Sequence, residues 1–184
     1  NRMQNCTVYF AHGRDSGPWG TKIRALAKVA EALGCQVFSR VDSVTCDPYL
    51  RTSRLIEEVS SIDGPVVLVG SSMGGYVVTA ASRVIQPLGL FLMAPALGMP
   101  GYAEPMPEPH ARQLSVVHGW GDDVVPFDKV LEFARIHQAM LHIIPAGHAL
   151  VEQLDWLTRC FADFLQHCLT WDCATARERL LATF

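Results

Sequence analysis

No stretch of the chain reaches the roughly 18 consecutive apolar residues that a membrane span requires. Nor is there an excess of positive charge. Fifteen Lys and Arg stand against 18 Asp and Glu, a net charge of −3. Without a basic footprint, neither nucleic acid nor a membrane surface is expected as a partner. No charged flank and cleavage site surround the first apolar run, so no signal peptide is expected. The sequence opens at Asn1 and not at Met, as it would if a few upstream residues were missing. None of the six cysteines (Cys6, Cys35, Cys46, Cys160, Cys168, Cys173) forms a Cys-x-x-Cys pair. That spacing gives no metal site, and it suits thiols in a reducing, cytoplasmic setting. Repeats and low-complexity segments are also missing.

What is present is apolar. At 184 residues and 49% hydrophobic content the chain suffices for one domain with a large core. Short apolar runs alternate with segments of helical period. The runs are 7–11, 36–38, 66–69, 88–93, 114–118 and 140–144. Helical stripes lie between them: Trp19 to Leu33, Leu55 to Ile62, 76–85, Val130 to His137, and Val151 to Phe164. Continuous apolar strands alternating with helices imply a parallel sheet covered on both faces. The expected fold is therefore α/β, a three-layer α/β/α sandwich of about six mainly parallel strands. Sites in such folds form at the carboxyl ends of strands. Residues 94–112 carry five prolines and are expected to form a long loop near the site.

The chemistry-bearing motifs follow strands. Gly70-Ser71-Ser72-Met73-Gly74 stands directly behind an apolar run and before a helical stretch. A sharp strand-to-helix turn that presents a serine needs small residues two before and two after it. Ser72 has glycines at both places, and Ser71 does not. A serine hydroxyl is protonated at neutral pH and needs a base, oriented in turn by a third group. His118-Gly119-Trp120-Gly121-Asp122-Asp123-Val124-Val125-Pro126 places Asp122 in a turn after the fifth run, with Asp123 as its rival. Gly147-His148 follows the sixth run.

This order, Ser72 then Asp122 then His148, resembles the α/β-hydrolase superfamily over about residues 6–168. The pentapeptide is similar to that family's nucleophile elbow. His118-Gly-x-x-Asp122-x-x-Val125-Pro126 is similar to its acid segment, and Gly147-His148 to its histidine loop. His12-Gly13 resembles its oxyanion-hole segment. The closest likeness is to small serine esterases without a lid, and the fold implied is the minimal α/β-hydrolase fold. The resemblance implies that Ser72 attacks an acyl carbonyl, His148 moves the proton, and Asp122 steadies the imidazole. It also implies that the backbone N–H groups of Met73 and Arg14 hold the oxyanion.

The expected activity is hydrolysis of small carboxylic esters without a cofactor or metal. Alternatives on the same three residues are thioester cleavage and acyl transfer. A non-catalytic binding protein of this fold is a third. Tyr76, Trp120 and Phe127 are candidates to line the acyl pocket. Residues 1–168 are read as the hydrolase domain. Residues 169–184 are read as a helical extension, with Cys173, Ala176, Leu180 and Phe184 on one face. The state expected is a monomer or a homodimer through that face.

Overall fold

The computed structural model describes residues 6–181, with side chains described through Thr170. Six strands form one sheet: β1 (Thr7–Ala11), β2 (Gln36–Arg40), β3 (Val66–Ser71), β4 (Gly89–Met93), β5 (Gln113–Gly119) and β6 (Met140–Ile144). Their spatial order is β2-β1-β3-β4-β5-β6, and every pairing is parallel. Five helices connect or follow them: α1 (Thr21–Ala32), α2 (Pro48–Ser60), α3 (Met73–Ile85), α4 (Phe127–His137) and α5 (Leu154–Leu181).

The alternation of side chains along each strand splits the core in two. Val8, Phe10, Val67, Val69, Phe91 and Val117 face α1 and α5, where Leu26, Leu157 and Phe161 meet them. Tyr9, Leu68, Leu90, Leu92 and Val116 face the other layer, with Leu55, Val77 and Phe133 from α2, α3 and α4. All of these are buried, so both faces of the sheet are dry over its central strands. Burial at about 25 cal/mol per Å² of apolar surface is the main stabilising term for such a sandwich.

Two boundaries differ from expectation for local reasons. Trp19 precedes α1 and is 45% exposed, because α1 begins only after Gly20. The second helix starts at Pro48, seven residues before the apolar stripe that marks it in sequence. Asp47 caps it, accepting from the N–H groups of Tyr49 and Leu50, and Pro48 fixes its first turn. The last helix passes residue 168 without a break. The side chains of Cys173, Ala176, Leu180 and Phe184 lie outside the described residues.

From β1 the chain steps outward to β2, whereas from β3 it steps the other way to β4. The crevice where those directions part lies at the carboxyl ends of β1 and β3. An open α/β sheet forms its ligand site there.

Candidate active site

Ser72 occupies that crevice. It stands between β3 and α3 with φ 55° and ψ −118°, a left-handed conformation that costs a side-chain-bearing residue about 1–3 kcal/mol. The surroundings enforce it. Ser72 N donates to Met93 O at 2.9 Å, and Ser72 O accepts from Ala96 N at 2.9 Å. The two outer glycines of the motif make the turn sterically possible. A Cβ on Gly70 would lie 2.3 Å from Gly74 O, and one on Gly74 would lie 2.0 Å from Ala11 O. Ser71 ends β3 and is buried.

The acid and histidine loops are drawn together at the ends of β5 and β6. Trp120 N donates to Ile144 O at 2.9 Å and Gly121 N to Ala146 O at 3.0 Å. Asp122, only 1% exposed in its side chain, sits in the turn they fix. Its Oδ1 accepts from Val124 N at 2.9 Å and Val125 N at 2.8 Å. Its Oδ2 lies 2.8 Å from His148 Nδ1. His148 Nε2 in turn lies 3.0 Å from Ser72 Oγ. Asp123 is exposed. With the Asp122 carboxylate ionised, the hydrogen-bond network assigns the proton of His148 to Nδ1, and Nε2 accepts from the serine hydroxyl. Burial by itself would raise the Asp122 pKa. The hydrogen bonds from Val125, His148 and Val124 outweigh it and hold the carboxyl below its ordinary value.

His118 is the second histidine on this carboxylate. It is fully buried, and Nε2 lies 3.0 Å from Val125 O and 3.4 Å from Asp122 Oδ2. Its Nδ1 has no hydrogen-bond partner. Burial pushes its pKa down, and the Val125 carbonyl beside Nε2 assigns the ring proton to that nitrogen. It holds the acid turn and does not reach the serine.

The segment after β1 closes the other side. A Cβ on Gly13 would lie 3.4 Å from Ser72 Cβ, so this loop abuts the elbow. Gly13 N donates to Ser16 Oγ at 2.9 Å. The N–H groups of Arg14 and Met73 have no acceptor among the described residues. Met73 opens α3, whose amino end carries a partial positive charge. His12 Nε2 accepts from Asp42 N at 2.9 Å, so its proton lies on Nδ1, which donates to Gly13 O at 2.7 Å.

Ser72 and His148 open into a cavity of about 970 Å³. Its walls include Arg14, Lys22, Tyr49, Met99 and Tyr102. Met99 and Tyr102 come from the proline-rich segment 94–112, which therefore forms part of the wall. The three aromatic residues expected there are elsewhere. Tyr76 faces inward from α3, fully buried, and its hydroxyl donates to Glu104 O at 2.7 Å behind the wall. Trp120 is 67% exposed and packs outside against Phe127, the rings tilted at 40° with centroids 5.6 Å apart.

Lys22 and Arg51 are the residues that sequence reasoning missed. Burial pushes the Lys22 ammonium down to about 8, against the opposing pull of the Asp122 charge. It has no hydrogen bond or ion pair among the described residues. Arg51 was visible as a cation on an apolar stripe, four and eight residues before Leu55 and Val59, on the buried face of α2. Among the described residues no group of three or more His, Cys, Asp or Glu is placed to hold a metal. No helix among them is long and apolar enough to cross a membrane.

The alpha/beta hydrolase family profile matches residues 8–183. A protein of the alpha/beta hydrolase superfamily from Xanthomonas campestris pv. campestris superposes with a TM-score of 0.82 at 32% identity. That alignment covers 88% of this chain and 98% of that one. Est1E from Butyrivibrio proteoclasticus gives a TM-score of 0.74 at 16% identity, over 91% of this chain and 90% of that one. A serine hydrolase without a lid, also from Xanthomonas campestris, gives 0.62 at 21% identity, over 89% and 81%. No curated protein matches the chain in sequence.

Proposed function

The chain belongs to the alpha/beta hydrolase family, and from that premise we propose that it is a serine hydrolase of small carboxylic esters. One observation carries the reading: the hydrogen-bonded line from Asp122 through His148 to Ser72, at 2.8 and 3.0 Å, ending on a strained elbow. Along that line the Ser72 Oγ–H gives its proton to His148 Nε2 as the oxygen attacks the acyl carbon. Asp122 steadies the resulting imidazolium. The N–H groups of Met73 and Arg14 meet the oxyanion, and each such donor is worth about 3 kcal/mol of barrier. The protonated His148 then delivers its proton to the leaving alcohol. Water attacks the acyl-enzyme by the same route in reverse order of roles.

Among the described residues no lid-forming domain covers the open cavity, and its aromatic and thioether walls (Tyr49, Tyr102, Met99) suit a small acyl group. Free thiols at Cys35, Cys46, Cys160 and Cys168 support a cytoplasmic setting. A fluorophosphonate probe tests the reading. Peptide mapping should place a single adduct on Ser72, and Ser72→Ala should abolish both labelling and hydrolysis of p-nitrophenyl acetate. An adduct on Ser71, or no adduct on folded protein, overturns it. Acyl-CoA thioesters tested beside matched oxygen esters separate an esterase from a thioesterase.

A further inference from the structure

We propose that Arg51 is the positioning residue of the oxyanion hole: it fixes the Gly13–Arg14 peptide so that the Arg14 N–H faces Ser72. The proposal rests on the serine-hydrolase reading above and adds a residue that touches no substrate.

A buried cation is costly unless its charge is paired or its N–H groups are bonded. Arg51 is 1% exposed and forms no ion pair among the described residues. Its guanidinium is instead satisfied by backbone carbonyls. Nε donates to Thr45 O at 2.7 Å. Nη1 donates to Gly13 O at 3.1 Å and reaches His12 O at 3.4 Å. Nη2 donates to Arg14 O at 3.2 Å. Three of the four acceptors are consecutive, and they belong to the loop that abuts the serine.

Peptide geometry converts this into a direction. In a trans peptide the C=O of one residue and the N–H of the next point opposite ways across a rigid plane. Gly13 O faces Arg51 and also accepts from His12 Nδ1. The N–H on the far side of that plane is that of Arg14. It therefore points away from Arg51, toward the cavity that Arg14 shares with Ser72. The neighbouring N–H, that of Gly13, is taken by Ser16 Oγ. One donor is left, held on a plane that Arg51 cannot release without losing its own hydrogen bonds.

Packing alone does not ask for a cation here, since the same helix face continues as Leu55 and Val59. A guanidinium differs from an apolar side chain in two ways. Its fork matches several carbonyls at once. Its charge, with no carboxylate in ion-pair contact among the described residues, stands behind the donor and favours a negative charge in front.

The experiment compares wild type, Arg51→Met and Arg51→Lys. Wild type is first labelled with a fluorophosphonate; failure there sinks the hydrolase reading and this proposal with it. For folded Arg51→Met, kcat on p-nitrophenyl acetate should fall on the order of 10- to 100-fold, short of the 10²–10³ for an absent donor. KM should stay within about threefold, and affinity for a boronic acid that forms a tetrahedral Ser72 adduct should fall in parallel. If Arg51→Met does not fold, Arg51→Lys decides. It keeps the charge without the fork, and kcat should fall about tenfold at unchanged KM. Labelled wild type with full kcat and boronate affinity in either folded variant overturns the proposal, as does a loss confined to KM.

Discussion

The cavity has a floor of Ser72 and His148, backed by the buried Asp122, and walls that include Arg14, Lys22, Tyr49 and Tyr102, and the two regions treat polar atoms differently. On the floor the donors and acceptors are matched. Both oxygens of Asp122 are engaged, and His148 is held at both nitrogens. In the walls Lys22 has no hydrogen bond or ion pair among the described residues, and Arg14 reaches Asp15 only at 4.0 Å with its side chain 64% exposed. A floor that needs no rearrangement lowers the cost of reaching the transition state. Walls with unspent polar capacity leave room for a substrate to supply the missing partners. Changes in the floor should thus appear in kcat, and changes in the walls in selectivity and stability.

The largest test lies in the acid turn. Asp122→Asn leaves His148 in the wrong tautomer, and the expected loss is about 10⁴ in kcat with little change in KM. Asp123→Asn, on the exposed neighbour, should stay within about threefold. Steady-state kinetics on one ester decides it, and equal losses would erase the distinction between the two aspartates. Asp122 also leaves a mark on stability. Its folded pKa is depressed, so its contribution is present above the unfolded value of about 4 and is lost as pH falls through the folded one. Acid unfolding of Asp122→Asn should lack that component.

A smaller effect, of opposite sign, is expected in the walls. Lys22 is held protonated at neutral pH where burial disfavours its charge. Its folded pKa of about 8 lies below the ordinary 10.5, so the penalty is full below pH 8 and vanishes as pH rises to 10.5. Lys22→Met should therefore stabilise the protein by about 1 kcal/mol near pH 7, or ~2–4 °C in Tm. The gain should shrink in melts run from pH 8 to pH 10. A Tm that falls at pH 7 would mean that Lys22 has a partner after all.

The smallest effect concerns chain length. Each methylene buried against the open wall adds at most about 0.8 kcal/mol, and less where water still reaches it. On p-nitrophenyl esters kcat/KM should peak near acetyl to butyryl and stop rising by about octanoyl. A steady rise through palmitoyl would show that residues 94–112 enclose a deeper channel.

Much of this arrangement is legible in the sequence, for local reasons. Buried parallel strands are apolar runs, and the elbow announces itself because Gly70 and Gly74 are places where no Cβ fits. Asp122 and His148 follow strands in loops with their own glycines. The walls are different. Tyr49 and Tyr102 meet across the cavity from segments far apart in the chain, and no local pattern encodes that approach. Tyr76 lies four residues beyond Ser72, one helical turn on, where α3 has already turned its face to the core. Trp120 sits between motif residues yet points outward. Arg51 could have been found, because Asp47-Pro48 marks a helix start and counting from it puts the arginine in line with Leu55 and Val59.

The separation between serine and histidine has a consequence for the order in which the protein is made. Ser72 and His148, its base on the proposed reading, are 76 positions apart in the chain. Synthesis runs from the amino end, so the serine exists long before its base does. Until the sixth strand has emerged and paired with the fifth, position 72 carries an ordinary alcohol. On the serine-hydrolase reading, reactivity waits for the histidine loop, and nascent copies that have not reached it are spared from acylation by the esters around them.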